Sequence, residues 1–282
     1  MMRGRGFTLV ELVMVVAIAG IIAAAIAVFF RPAVDSYFDT RRRAELSGMA
    51  DTALRRVGRE VRHAVPNSIR IPNDQCFEFV PGKAGGLYRR AADGVNADSD
   101  PLDTTAPDSS FDVLSELSSA PATGDFVVIG NQDTNAVYSG TTRGTVGAWQ
   151  SPPSPGGAPV GTGRIVLAAA TQFPAGYEGG RFFIVDQNEP SLFYVCRNAG
   201  EAGGNGTGEL VRITQGFNPA YPAACPAGGG VRLARRVAAC SFVYDPNLGA
   251  TQQAGFVWMH IQLLEGGERV TLAFGVHVGN VP

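Results

Sequence analysis

The chain has 282 residues, 23 Lys+Arg against 25 Asp+Glu and a formal net charge of −2. A balance so near zero argues against a nucleic-acid binder, and three histidines with four cysteines leave little material for a metal enzyme. A hydrophobic content of 45% suffices for a sizeable core, while 36 glycines and 18 prolines imply many turns without reaching a disordered composition. The charge is uneven. Residues 1–65 carry a net of +4 and residues 66–282 a net of −6, so two structural regimes meet near Val65-Pro66.

Residues 7–30 form an apolar run with one charge, Glu11. As a helix the run measures about 36 Å. A hydrocarbon core is ~30 Å thick, so the run spans a membrane with some tilt. A buried core helix is the competing reading, but no polar face exists from Leu12 to Phe30. A cleaved secretory signal has a shorter stretch and a small-x-small site. Here the flank is Phe29-Phe30-Arg31-Pro32, so the helix is expected to stay. Arg3 and Arg5 precede it, and Arg31, Arg41, Arg42 and Arg43 follow it. Bases alone would put the C-terminal side in the cytoplasm; the cysteines argue the other way. An acid in such a helix costs ~2.5–3.5 kcal/mol at the centre and less near an end. Glu11 either snorkels at the interface or awaits a partner group.

The residues Gly6-Phe7-Thr8-Leu9-Val10-Glu11, behind a short basic leader and ahead of the apolar stretch, resemble the signal of type IV prepilins and type II secretion pseudopilins. The resemblance implies cleavage between Gly6 and Phe7 by a prepilin peptidase, N-methylation of Phe7, and a globular part outside the cytoplasm. It also implies that Glu11 meets the terminal amine of a neighbouring subunit. Phe7 and Glu11, four residues apart, are expected on one side of the helix. Tyr37-Phe38-Asp39-Thr40-Arg41-Arg42-Arg43-Ala44-Glu45-Leu46, Met49-Ala50-Asp51-Thr52-Ala53-Leu54-Arg55-Arg56 and Pro66-Asn67-Ser68-Ile69-Arg70 resemble large minor pilins of the mannose-sensitive haemagglutinin (MSHA) pilus. Major pilins often carry a proline near the middle of the membrane stretch; here the first, Pro32, stands at its end.

Beyond Pro32, Leu46, Met49, Ala50, Ala53, Leu54, Val57, Val61 and Val65 recur at spacings of three and four, one apolar helical stripe. Arg55, Arg56, Arg59 and Arg62 lie largely off it, as a solvated face or a contact for headgroups or a partner pilin. Pro66 ends the helix. The remainder reads as β. Strand-like runs fall at 76–80, 125–130, 164–168, 181–186, 192–196, 209–213 and 241–244. A terminal hairpin pairs 256–264 with 268–278 across Glu265-Gly266-Gly267. Residues 108–118 are expected as a short helix, and 151–163 as an exposed loop.

No CxxC pair occurs among the cysteines, and an even count in an exported β domain favours two disulfides. Four cysteines allow three connectivities. Cys196 and Cys225 flank a hairpin containing Gly203-Gly204-Asn205-Gly206, so the expected pairs are Cys196–Cys225 and Cys76–Cys240. The Gly-rich stretch 200–208 lacks the GK[ST] ending of a phosphate loop. Asn96, Asp98, Asp100 and Asp103 are spaced as calcium ligands can be, but Pro101 stands where a tight loop wants Gly, which favours a solvated loop. His63, His260 and His277 have no evident nucleophile or acid partner, and neither GxSxG nor HExxH occurs.

The expected protein is therefore α+β and pilin-like, a long N-terminal helix packed at its outer half on an antiparallel β domain. Its parts are a cleaved leader (1–6), a transmembrane helix (7–30), an amphipathic continuation (31–65) and an extracytoplasmic globular domain (66–282). The expected role is a minor pilin in initiation or tip assembly of an MSHA-like pilus, with a secretion pseudopilin or a tip adhesin as alternatives. Neither an enzyme nor a cofactor protein is expected. Partners are other pilins, the prepilin peptidase and membrane lipid, with no nucleic acid. The location is the inner membrane with a periplasmic domain, then the pilus.

Overall fold

In the computed structural model, which describes residues 6–154, 159–175, 179–247 and 254–281, a single helix α1 (Leu9–Arg62) accounts for 54 residues, about 81 Å of axis. The side chains of its first half are all exposed. Its outer half buries Leu46, Ala50, Ala53, Leu54, Val57 and Val61 of the expected stripe, together with Gly58, while Met49 is half-buried and Val65, also buried, lies past the helix end. Pro32 lies within it without ending it. The helix stops at Arg62 rather than at 65 because the backbone turns into the sheet: Val65 N–H donates to the Val80 carbonyl at 2.9 Å.

The strands follow in chain order. β1 (Arg70–Asn73), β2 (Cys76–Phe79) and β3 (Ala84–Leu87) come first, then β4 (Asp108–Val113) and β5 (Phe126–Val128). A short helix α2 (Ala136–Ser139) leads to β6 (Arg143–Gln150), β7 (Gly163–Thr171), β8 (Arg181–Val185) and β9 (Ser191–Arg197). A small hairpin, β10 (Glu201–Ala202) and β11 (Asn205–Gly206), precedes β12 (Gly208–Gln215). β13 (Val231–Asp245), β14 (Ala254–Glu265) and β15 (Glu268–Gly279) close the chain.

Seven strands form an antiparallel sheet in the order β1-β2-β9-β12-β13-β14-β15, and α1 lies on one face, mainly over β15. An aromatic group beneath the helix anchors this core. Phe77 meets Phe242 edge-on at 4.9 Å and Tyr194 at 5.5 Å, and Phe79 stacks on Tyr194 at 6.1 Å. Gly58 permits the close approach of β15, since a Cβ there would stand 2.5 Å from the Phe274 ring.

The other six main strands run β3-β8-β5-β6-β7-β4, and this sheet closes on itself. Just past β3, Tyr88 bridges Val113 of β4, Leu114 N–H donates to Leu87, and Arg89 N–H donates to Asp112. The result is a barrel inserted between β2 and β9. Its interior is filled by Phe111, Val127, Val146, Ile165, Phe182 and Ile184 among others, as in any barrel too narrow for a channel. Residues 108–118 are thus a strand followed by irregular chain rather than a helix. Phe111 and Val113 share the barrel interior at a period of two, and Asp112 between them is held by Arg89 and Arg164. A third apolar group, with Val65, Val80, Val128, Val137, Tyr138 and Val185, joins barrel to sheet.

The cysteine pairing differs from the expected one. Cys76 bonds Cys225 and Cys196 bonds Cys240, with Cα separations of 5.7 and 6.0 Å. The reason is strand alternation. Cys76 faces away from α1, with Phe193, Val195, Val211 and Ile213, where the segment after β12 brings Cys225. Cys196 and Cys240 belong to the core under α1. The β1–β2 turn holds the latter two strands together: Cys196 N–H donates to Gln75 and Phe242 N–H to Asp74.

Candidate functional site

The residues expected to carry processing and assembly stand at the free end of α1. Thr8 is its N-cap; the hydroxyl accepts the Glu11 N–H at 3.3 Å, and its carbonyl accepts the Leu12 N–H at 3.1 Å. Glu11 therefore occupies the third helical position. Thr8-x-x-Glu11 has the spacing of a capping box, and its acid lies at the positive end of the helix dipole. That spacing is visible in the sequence, where a charge in lipid is the more conspicuous reading of the same acid. Phe7, 76% exposed, precedes the cap and is not helical, so Phe7 and Glu11 share the chain end but not a helix face. A Cβ at Gly6 would meet nothing within 4 Å. Met1–Arg5 of the expected leader lie outside the described residues.

From Leu9 to Phe30 every side chain of α1 is exposed, and this is a helix long and apolar enough to cross a membrane. It fits a single-pass anchor. Beyond it come Arg31, Tyr37, Phe38 and Arg41, the aromatic and basic composition of a membrane–water boundary. The arginines of the outer half are largely tied along the helix: Arg42 to Asp39, Arg41 to Glu45, Arg55 to Asp51 and Arg56 to Glu60. Arg43 reaches Glu268 at the start of β15.

Glu60 fastens the helix to the sheet. It accepts from Tyr194 at 2.7 Å, Arg212 at 2.9 Å and Arg56 at 3.2 Å, and Arg212 also forks onto Glu189. Burial opposes the Glu60 charge, but the hydrogen bonds from Arg212, Tyr194 and Arg56 prevail and hold its carboxyl below the usual range. A depressed folded-state pKa stabilises above the ordinary glutamate range, and that stabilisation is lost as pH falls through the folded value. Glu60→Gln is therefore expected to cost about 1.5–3 kcal/mol at neutral pH. Its melting temperature should approach that of the unsubstituted protein in acid, as thermal unfolding across pH will show.

A second buried network has no counterpart in the sequence reading. Arg70, with 0% of its surface exposed, lies over the Tyr138 ring at 3.3 Å. It donates to Asn218 and Ala220 carbonyls at 2.9 and 3.1 Å and pairs with Glu78 at 3.5 Å. Ser191 donates to Glu78 at 2.5 Å. Burial pushes the Glu78 carboxyl up, against Ser191 and Arg70. The network knits β1, β2, β9, the barrel's α2 and the segment after β12.

The acidic loop does not converge. Asp100 accepts from Ser110 and pairs with Arg164, the Asp98 carbonyl accepts from Arg164, and Asp103 holds its own turn through Thr105. Asn96 donates to Asp93. Among the described residues no group of three or more His, Cys, Asp or Glu could hold a metal ion. His63 bonds the Arg59 carbonyl at the helix end, while His277 lies against Phe256 at 4.7 Å on the face of the sheet away from α1. The Gly203-Gly204 tip is a hairpin turn with both φ positive, docked on the β14–β15 turn through Gly267 N–H to Gly204 O. Of the expected loop 151–163, residues 155–158 lie outside the described residues and Gly163 opens β7.

Comparison with known proteins gives one family match, the prokaryotic N-terminal methylation motif, over residues 1–27. No curated protein and no solved structure matches the chain. The matched segment contains Gly6, Phe7 and Glu11 and all of the membrane-length run but Val28, Phe29 and Phe30. With the exposed apolar helix packed at its far end on antiparallel strands, the motif supports a type IV prepilin-like protein, a structural subunit of the pilin or pseudopilin type.

Proposed function

We propose that this chain is a minor pilin that initiates or tips an MSHA-like type IV pilus, in the manner of the large pilus biogenesis protein O of that system. The observation that carries the reading is the pairing of the methylation motif with an anchor helix whose first half is bare on all sides. In this reading residues 1–6 are removed, Phe7 is methylated, residues 7–30 span the inner membrane, and residues 31–282 stand in the periplasm until assembly. The inserted barrel supports low-copy use, because a subunit repeated along a thin fibre has little room for so large an addition. The motif serves secretion pseudopilins equally well, which keeps that role as the second reading.

Intact-mass analysis of the mature protein, with labelling of this chain in sheared fibres, tests the proposal. A methylated Phe7 terminus and label confined to one fibre end are the expected results. Retained Met1, or label in secretion machinery alone, would overturn it. Glu11→Leu is expected to leave membrane insertion and cleavage intact and to lower incorporation into fibres. Losing the acid from the first turn costs only about 0.3–1 kcal/mol of dipole stabilisation, too little to melt a helix of this length. Glu11→Asp should be intermediate. Crosslinking to other pilins and fibre yield at matched expression provide the measurement.

A further inference from the structure

The sheet edges of this protein are unequal. The barrel has none, since it closes. β1 is four residues long, and the Tyr221 hydroxyl bonds both the N–H and the carbonyl of Ile71, at 2.9 and 3.2 Å. β15, the opposite edge of the large sheet, is twelve residues long, keeps unbroken register with β14 and contains no proline. Among the described residues its backbone bonds run to β14 alone. A long, regular, unprotected edge strand is a template for another strand. Its core-facing Val270, Leu272 and Phe274 are only half-buried against α1, so further cover would complete their burial.

Beside this edge runs a groove of about 450 Å³ lined by Asp51, Arg55, Gly58, Arg59, Arg62 and Phe274, with Thr52. Asp51 takes Arg55 at 2.8 Å. Arg59 and Arg62 make no ion pair among the described residues. The groove is thus open to negative charge. Arg62 stands about 48 Å along the helix from Phe30, beyond the reach of lipid headgroups.

We propose that the β15 edge and the Arg55–Arg59–Arg62 groove form one docking surface, which takes an extended, acidic segment of a different subunit as an added strand. Backbone pairing supplies the attachment and the arginines select the charge. A second copy of this chain is disfavoured by the same residues. It would bring its own arginines against these, and the one acid of its β15, Glu268, is engaged by Arg43. The inference rests on the subunit reading for its partner, but its test does not.

The test uses the full chain in detergent micelles and two probes, a short alternating Glu-Val peptide and its Lys-Val counterpart. Hydrogen exchange is followed along β15. The Glu-Val peptide is expected to slow exchange at alternate β15 amides, the Lys-Val peptide to leave them unchanged. Arg59→Glu/Arg62→Glu should weaken Glu-Val binding about tenfold, some 1.4 kcal/mol, with the melting temperature lowered only slightly, because neither arginine is ion-paired among the described residues and the loss is confined to the dipole at the last turn of α1. Protection independent of peptide charge, protection away from β15, no protection by either peptide, or self-association through β15 would each overturn the proposal. Peptide binding requires neither leader cleavage nor a fibre, so the docking surface and the pilin role can fail separately.

Discussion

Replacing Gly6 by leucine is expected to abolish leader removal while leaving the folded protein unchanged. The physical ground is local. Among the described residues nothing lies within 4 Å of the space a side chain would enter, and Gly6 precedes the Thr8 cap, so helix and sheet have no stake in it. A peptidase that closes on the scissile bond does have such a stake, since glycine lets another backbone approach where any Cβ intervenes. Membrane fractions should then hold only the precursor, with Met1 or Met2 at its terminus, and fibres should lack this chain. Intact mass and fibre yield read both outcomes. Normal cleavage of the leucine variant would dismiss Gly6 as the recognition residue and weaken the prepilin assignment with it.

Glu78→Ala should damage the sheet severely, lowering stability by about 3–5 kcal/mol. The loss arises from what remains: Arg70, without solvent access, keeps its charge and loses the carboxylate at 3.5 Å. Two of its nitrogens, Nε and Nη2, have no hydrogen-bond partner among the described residues. Changing both residues together, Arg70→Met with Glu78→Leu, should recover much of the loss, because a buried pair contributes little beyond an apolar pair of similar size. The pH dependence has a definite sign. Burial raises the Glu78 pKa, so its contribution is full below the ordinary glutamate range and declines as pH rises through the raised value. Glu78→Gln should remove that decline. Denaturant titrations of the three variants at acid and neutral pH decide the matter.

Much of the helix was legible in the sequence because its information is local. The stripe from Leu46 to Val61 follows from a period of 3.6, and the β14–β15 hairpin follows from Gly266-Gly267, whose φ values are 59° and 84°. The barrel was not legible. Its closure rests on Tyr88 meeting Val113 and Arg89 meeting Asp112, contacts set by shape rather than by neighbours in sequence. β6 is hidden because Gly144 and Gly147 interrupt its apolar pattern, although a Cβ at either would lie within 3.4 Å of β7 or Phe173. The cysteines mislead for a related reason. Proximity in sequence suggests Cys196 with Cys225, whereas the deciding fact is which side of a strand each thiol occupies, and that needs the register. In the sequence Arg70 resembles any surface arginine; only the fold reveals Tyr138 and Glu78 around it.

The insertion of the barrel has a consequence for how such a chain can change. β2 and β9 are adjacent antiparallel strands, with Phe79 opposite Leu192, so the segment between them leaves and re-enters the sheet at one place. A chain that lacked the barrel could join these strands by a tight turn, and one that carried a different module could host it there, without altering the helix or its membrane end. The scaffold thus separates the apolar helix end from the inserted barrel. The separation is incomplete where the apolar group of Val65, Val128, Val137 and Val185 joins the two, and most of all at Tyr138, which belongs to the insert while its ring roofs the buried Arg70 of the sheet. Any exchange of cargo must supply a new roof for that charge, and this sets the boundary of what evolution or an engineer can graft onto the site.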